Sequence, residues 1–292
     1  MITTGPHPGT DPPSGPYRDT WVAVGTRHGK QHQFHAPFRD VLGAHLLTPP
    51  DLDTDRFGTF TGEMPRTTTA VAAARAKAHL AMSVTGLPFG LGSEASYGAF
   101  GRLGWSGHQE VLLFCDAERG IEVLVGHRTL DVPGHPQRVR RVQDVPPALL
   151  DGLPEQALIV RPAEPGGEPA IIKGIADPAT LMTAIEHAAT HSADRHAIVE
   201  PDLRAHHNPS RQRVLVLLAD SLARRLATPC PACRAPGFGR VDTERGLPCR
   251  DCGTPTLLAI TEILGCAACD HRQGRPLAGA HADPVDCPRC NP

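Results

Sequence analysis

No stretch of this 292-residue chain approaches the run of about 20 apolar residues that a membrane-spanning helix needs. Aromatic residues make up only 4% of the chain, too few for the stacked platforms on which single-stranded nucleic acid is held. Neither sign of charge dominates: 29 Lys and Arg face 31 Asp and Glu, a formal charge of −2. That balance excludes a whole-protein electrostatic footprint for nucleic acid and leaves room only for a local patch. The first residues, MITTGPHPGTDPPSGPYRDT, have neither a basic start nor an apolar centre, so they do not read as a secretory signal. Their Pro, Gly and Thr content reads as a disordered leader over residues 1–19, and the expected location is the cytoplasm. Cysteine is almost missing before residue 230, where only Cys115 occurs, inside an apolar run that predicts a buried, inert thiol.

The remaining eight cysteines form four C-x-x-C pairs: Cys230/Cys233, Cys249/Cys252, Cys266/Cys269 and Cys287/Cys290. Without an export signal, paired thiols at this spacing point to metal rather than to disulfides. One pair supplies one edge of a tetrahedral thiolate site, and two pairs close it. Eight thiolates therefore predict two structural zinc ions in a double zinc-ribbon-like domain over residues 228–292. Sequential pairing, first with second and third with fourth, is the preferred assignment, with a nested arrangement nearly equal to it. All-cysteine ligation leaves no open position for zinc catalysis, so the tail reads as a stability element, as a surface that docks protein or nucleic acid, or as both.

Ahead of the tail the pattern is α/β. WVAVGT (21–26) reads as a strand, Thr68 to Ser83 as an alanine-rich helix stopped by Gly86 and Pro88, and EVLLFCD with IEVLVGHRTL as a hairpin. Two-sided burial of the first strand and of residues 110–116 places both in one mixed sheet, within a domain spanning residues 20–143. Residues 144–227 read as a small α/β extension whose last helix starts at the Asn208-Pro209 capping signal.

Three polar stretches are candidates for chemistry. GTRHGKQHQF (25–34) follows a strand and opens a helix, a place suited to anions; Thr26, Arg27, His28 and Lys30 are its candidate ligand groups, although a solvated surface loop explains them equally well. GLGSEASYG (90–98) sets Glu94 at the end of a strand between glycines, as if for a metal or phosphate to approach the backbone. EPDLRAHHNPSR (200–211) gathers Arg204, Asn208 and Arg211 at a helix start, where an anion site and a plain N-cap with a local ion pair stand at equal weight. No P-loop pattern occurs.

The order of VAVGTRHGK, TGEMPRTTTAVAAARAKA, FGLGSEASYG and EVLLFCD over about residues 20–130 resembles the non-standard nucleoside-triphosphate pyrophosphatase superfamily, the inosine/xanthosine triphosphatase fold. Along its whole length the chain also looks like a bacterial family of unknown function with a C-terminal Cys-rich tail. The first resemblance implies a Mg²⁺-dependent hydrolase of nucleotide phosphoanhydrides. Thr26 and Lys30 would hold phosphate, Glu63 and Glu94 would bind Mg²⁺, and Lys77 would face the triphosphate. His28 stands where that superfamily has Asn, and Gln33 sits near an expected acid. Those departures favour the alternative, a non-catalytic nucleotide-binding or adaptor protein that docks a protein or nucleic acid through its zinc domain.

Overall fold

The computed structural model describes residues 15–26, 29–50, 52–54, 57, 68–100, 105–165, 170–279 and 281–292. Arg27, His28 and Glu63 lie outside the described residues. The described part of the chain is built around three β-sheets. The first has five strands: β1 (Trp21–Gly25), β2 (His45–Leu47), β3 (Phe89–Phe100), β4 (Trp105–Asp116) and β5 (Ile121–Thr129), in the order β2-β1-β3-β4-β5. β1 pairs in parallel with both β2 and β3, whereas β4 runs antiparallel to β3 and to β5. The sheet is therefore mixed, with β1 and β4 both in it.

Helices cover both faces. Helix α1 (Gln31–Pro37) continues as a π-helical turn, Phe38–Leu42. Phe34, Phe38 and Leu42 pack with Val22, Val24, Leu91, Leu112 and Phe114 of the sheet. On the opposite face α2 (Ala70–Thr85) lays Ala74 and Ala78 against Val111, Leu113 and Cys115. Its start is capped by the Thr69 hydroxyl, which accepts from the Ala72 N–H, and it stops at Gly86 in a left-handed conformation with φ 70°. Small residues let α2 lie unusually close to the sheet. A Cβ on Gly92 would stand 2.0 Å from the Ala74 carbonyl oxygen, and one on Gly25 would stand 2.2 Å from that of Lys77. Gly92, on one side of Glu94, thus serves the helix–sheet contact, whereas a Cβ at Gly98 on the other side would meet nothing within 4 Å.

GLGSEASYG is not a strand end followed by a loop. β3 continues to Phe100 and pairs with β4 along its whole length, so Glu94 stands mid-strand opposite Val111. The polar sequence hides this, because the side chains past Leu91 face a buried ionic network instead of an apolar core. Residues 15–19, expected within a disordered leader, are ordered: Tyr17 is buried among Phe89 and Phe114, and its hydroxyl donates to Asp116 at 2.9 Å.

The second sheet joins β6 (Gln137–Val139), β7 (Leu158–Pro162), β8 (Ile172–Ile175) and β9 (Ala197–Pro201) in the order β6-β9-β7-β8. The short helix α3 (Pro147–Leu150) buries Leu149 beneath it, and α4 (Pro178–Thr190) packs Leu181, Ala184, Ile185 and Ala188 onto it. Helix α5 (Pro209–Ala227) follows this sheet in the chain but packs elsewhere. Its Leu215, Leu218, Leu222 and Leu226 share the core of Phe34, Phe38 and Phe114 on the first sheet.

The third sheet is an antiparallel meander of β10 (Gly239–Arg245), β11 (Ala259–Gly265) and β12 (Arg272–Pro276). Arg225, near the end of α5, fastens it to the first sheet. Its guanidinium donates to the carbonyls of Gly237 and Arg240 and to Leu124 of β5, each at 3.0 Å. Among the described residues no helix is long and apolar enough to cross a membrane.

Candidate functional site

The connection from β1 runs through α1 to β2 on one side, and β3 lies on the other side of β1. The carboxyl end of β1 is therefore a topological switch point, where open α/β sheets bind their ligands. Pairing of β1 with β3 reaches Gly25 opposite Gly92 and ends there. Thr26, Lys30, Ser93, Glu94 and Lys77 cluster just beyond that pair, and all five are buried.

Alternation along β3 sends Ser93 and Glu94 to opposite faces. On the α2 face, Lys77 Nζ donates to Glu94 Oε2 at 2.6 Å, and Glu94 Oε1 accepts from the Ala95 N–H at 3.1 Å. On the α1 face, Lys30 Nζ donates to Ser93 Oγ at 3.0 Å and lies 3.9 Å from Glu110 Oε1. Glu110, on β4, is completely buried and held by Arg211 of α5, whose Nε and Nη2 donate to its two oxygens at 2.7 and 3.1 Å. His108 Nε2 stands 3.1 Å from the same carboxylate, and its ring stacks on Tyr97. The Tyr97 hydroxyl accepts from Asn208 at 3.2 Å, while the Asn208 side-chain oxygen caps α5 by accepting from the Arg211 N–H.

With Lys30 protonated, three cations among these described groups, Lys30, Lys77 and Arg211, face two carboxylates, Glu94 and Glu110, so one positive charge is then in excess. Burial is the main cause lowering the Lys30 amine to about 7, helped by Arg211 and Lys77 and opposed by Glu110 and Glu94. Burial pushes Glu110 the other way, yet Arg211, the His108 hydrogen bond and Lys30 hold it well below the usual carboxylate range. A buried ammonium beside excess positive charge gains most from an added anion. A polar cavity of about 480 Å³ adjoins this point, lined by Thr26, Gly29, Gln31, Thr48 and Asp53 among others.

The sequence-level candidates therefore separate. Thr26, Lys30, Lys77 and Glu94 come together at the end of β1. Arg211 and Asn208 reach the same network from α5, as buried partners of Glu110 and Tyr97 rather than as surface donors. Arg204 does not join them; it grips Asp202 through Nε and Nη2, the shortest contact being 2.6 Å, at the second sheet. Glu110, His108, Ser93 and Tyr97 escape a sequence reading. The pairing of Glu110 with Arg211 spans 101 residues, and the alternation of polar side chains in SGHQE is the only local sign.

The tail cysteines form two groups of four, Cys230, Cys233, Cys266 and Cys269, and Cys249, Cys252, Cys287 and Cys290. Within each group all sulfurs lie within 4.8 Å of one another, with partner distances of 3.9 and 3.5 Å in the first and 3.9 and 3.6 Å in the second. A regular tetrahedron of 2.3 Å metal–sulfur bonds has edges of about 3.8 Å, so either group can hold a metal ion. Pairing is interleaved, first with third and second with fourth, which corrects both the sequential and the nested assignments. The meander dictates it. Gly239 pairs with Gly265 and Thr261 with Pro276, so each antiparallel strand carries the chain to the opposite end of the sheet and alternate pairs meet. Cys115, on β4, belongs to neither group, and burial pushes its thiol up to about 12.

One mixed sheet, two antiparallel sheets and two four-cysteine groups define an α/β protein with a cysteine-rich C-terminal region able to bind metal. The chain belongs to the family described as a domain of unknown function, DUF6671, whose profile matches residues 77–292. The match takes in Lys77, Glu94, Glu110, Arg211 and all eight tail cysteines, and begins after Lys30. No curated protein and no solved structure matches the chain. Neither comparison supports the resemblance to the inosine/xanthosine triphosphatase fold.

Proposed function

We propose that the end of β1 binds the phosphates of a nucleotide and that the protein hydrolyses a phosphoanhydride there with Mg²⁺, while two structural zinc ions hold the tail. The observation that carries this reading is the buried Lys30–Ser93 and Lys77–Glu94 pairs at a sheet switch point, with one cation in excess among the described groups. Lys30 and Lys77 approach from the two faces of β3 and would grip separate phosphate oxygens. Thr26, at the end of β1, would add a hydroxyl.

Mg²⁺ is commonly held by one or two carboxylates together with substrate phosphates and waters. Glu94 suits that role. Both carboxylates already have partners, but Glu94 is held by one lysine and its neighbour's N–H, whereas Glu110 is locked at zero exposure in a two-point pair with the equally buried Arg211 and does not suit it. In this reading Glu63 is the second carboxylate, and Arg27 and His28 belong to the phosphate-binding turn. When bound, the metal would activate water and neutralise charge on the phosphate oxygens. Lys77 would move its charge from Glu94 toward the phosphates as Glu94 turns to the metal. Arg211 and Asn208 position this floor through Glu110 and Tyr97.

The test is a phosphate-release screen over standard and damaged nucleoside triphosphates with Mg²⁺ or Mn²⁺, on wild type, Glu94→Gln and Lys77→Met. Release by wild type that falls at least about 100-fold in Glu94→Gln supports the reading, a loss on the scale of a removed electrostatic stabiliser. Absence of release with every nucleotide rejects it.

One observation favours the docking alternative. The tail exposes Leu257 at 76%, Val285 at 64% and Val241 at 44%, apolar side chains that a docked partner would cover. A chain without hydrolytic activity that loses a protein partner on Leu257→Asp would be an adaptor.

A further inference from the structure

On the outer side of the first sheet, away from Lys30, three different ligand types converge from three rigid elements. Cys115 of β4 and Glu122 of β5 are direct cross-strand partners, and His79 of α2 lies over them. Cys115 Sγ is 3.9 Å from His79 Nε2 and 4.0 Å from Glu122 Oε1, and the last two atoms are 3.9 Å apart. A triangle of side about 3.9 Å has its centre about 2.3 Å from each corner, close to zinc–ligand bond lengths of about 2.0–2.3 Å.

We propose that His79, Cys115 and Glu122 form a third metal site, for Zn²⁺ or a chemically similar borderline ion, separate from the tail. The donor set argues for that class. A thiolate and an imidazole suit zinc, whereas Mg²⁺ and Ca²⁺ demand oxygen shells. Tetrahedral contraction shortens the edges by about 0.4–0.6 Å relative to those observed. The His79 side chain is 57% exposed, so it is free to make most of that adjustment while Cys115 stays fixed in the strand and Glu122 pivots on its contacts with Arg75.

Arg75, one turn before His79 on α2, holds Glu122 by donating from Nε to both oxygens and from Nη2 to Oε2 at 2.7 Å. Coordination through Oε1 leaves Oε2 with Arg75, which orients the carboxylate as outer-sphere partners of metal ligands do. On binding, the Cys115 S–H proton passes to water as the sulfur–metal bond forms. Three protein ligands with an exposed fourth side leave one coordination position for water or a small ligand, unlike the closed four-cysteine groups.

The test uses the full chain with its tail loaded. Zinc is counted by elemental analysis after dialysis against buffered free zinc, for wild type, His79→Ala and Cys115→Ser. The proposal expects wild type to hold one ion more than either variant. Added Co²⁺ should give a thiolate-to-cobalt charge-transfer band that persists in His79→Ala only in weakened form and loses its third-site component in Cys115→Ser. His79 is exposed, so its removal leaves the fold intact and keeps the comparison decisive. Equal zinc counts in all three proteins, with superimposable cobalt spectra, overturn it.

Discussion

Among the described contacts, Arg211→Met removes two hydrogen bonds to Glu110 and one from Nη1 to the Leu203 carbonyl at 2.8 Å. Arg211 and Glu110 are both completely buried, so the variant leaves a carboxylate without its main countercharge. Breaking a buried pair from one side costs about 3–5 kcal/mol, a large share of the roughly 5–15 kcal/mol that holds a typical domain folded. Lys30 at 3.9 Å and His108 at 3.1 Å remain near Glu110, which puts the expected loss toward the lower end, about 3 kcal/mol. The double variant Arg211→Met/Glu110→Gln should recover more than half of that loss, because the orphaned charge is gone.

The pH dependence has a definite sign. In wild type Glu110 is held below its unfolded value, so its contribution is intact above the ordinary carboxylate range and is lost only as pH falls through and below that range. Without Arg211, burial dominates and raises its folded value, so the folded variant takes up a proton as pH falls from neutrality. The gap between wild type and Arg211→Met should narrow between about pH 7.5 and about pH 5. Urea melts in buffered zinc at the two pH values measure it. A loss under about 1 kcal/mol, or a double variant no better than the single, refutes the reasoning.

Four further outcomes follow from the same structure. Lys30, lowered to about 7 chiefly by burial, should make inorganic triphosphate bind more tightly at about pH 6 than at about pH 8, and Lys30→Met should flatten that profile in calorimetry. The same group should make folding stability fall as pH drops from the ordinary lysine range toward about 7, since only the unfolded chain takes up a proton across that window, a slope that Lys30→Met should remove from urea melts. Gly92→Ala drives a methyl into the Ala74 carbonyl, backbone that cannot swing aside, so denaturant melts should show a loss at or above the usual ~1–3 kcal/mol of overpacking. In the tail, Cys230→Ser/Cys266→Ser should cost one metal ion and Cys230→Ser/Cys249→Ser two; elemental analysis giving the reverse would restore sequential pairing.

What the sequence discloses depends on whether a segment's partner is apolar and near. Strands β1, β4, β5, β7 and β9 announce themselves by buried Val, Ile and Leu, and α2 by alanines between Thr69 and Gly86. β10 and β12, GRVDTER and RQGRP, lie at the surface and carry no such pattern. Without them the direction reversals of the meander are invisible, and spacing alone assigns the cysteine pairing in the wrong order. The far half of β3 is hidden for a related reason. Its side chains meet Lys77, Lys30 and the Tyr97–His108 stack, contacts that no local periodicity encodes. The charged residues at the end of β1 do gather, while Arg204 stands out in sequence by density alone and serves Asp202.

Helix α5 explains why the cysteine-rich tail and the buried ionic cluster belong to one structure. Its 19 residues span about 28 Å at ~1.5 Å each. At the first end Asn208 and Arg211 complete the network around Glu110; at the last, Arg225 binds β5 and the segment entering β10. Between them Leu215, Leu218, Leu222 and Leu226 are sealed against the sheet, so the helix has no freedom to tilt at one end without disturbing the other. The first four-cysteine group begins three residues after the helix, at Cys230, and Phe238 is tied back by its N–H to the Thr228 carbonyl at 3.1 Å. One packed helix thus joins the segment that carries Cys230 and Cys233 to the network in which Arg211 holds Glu110.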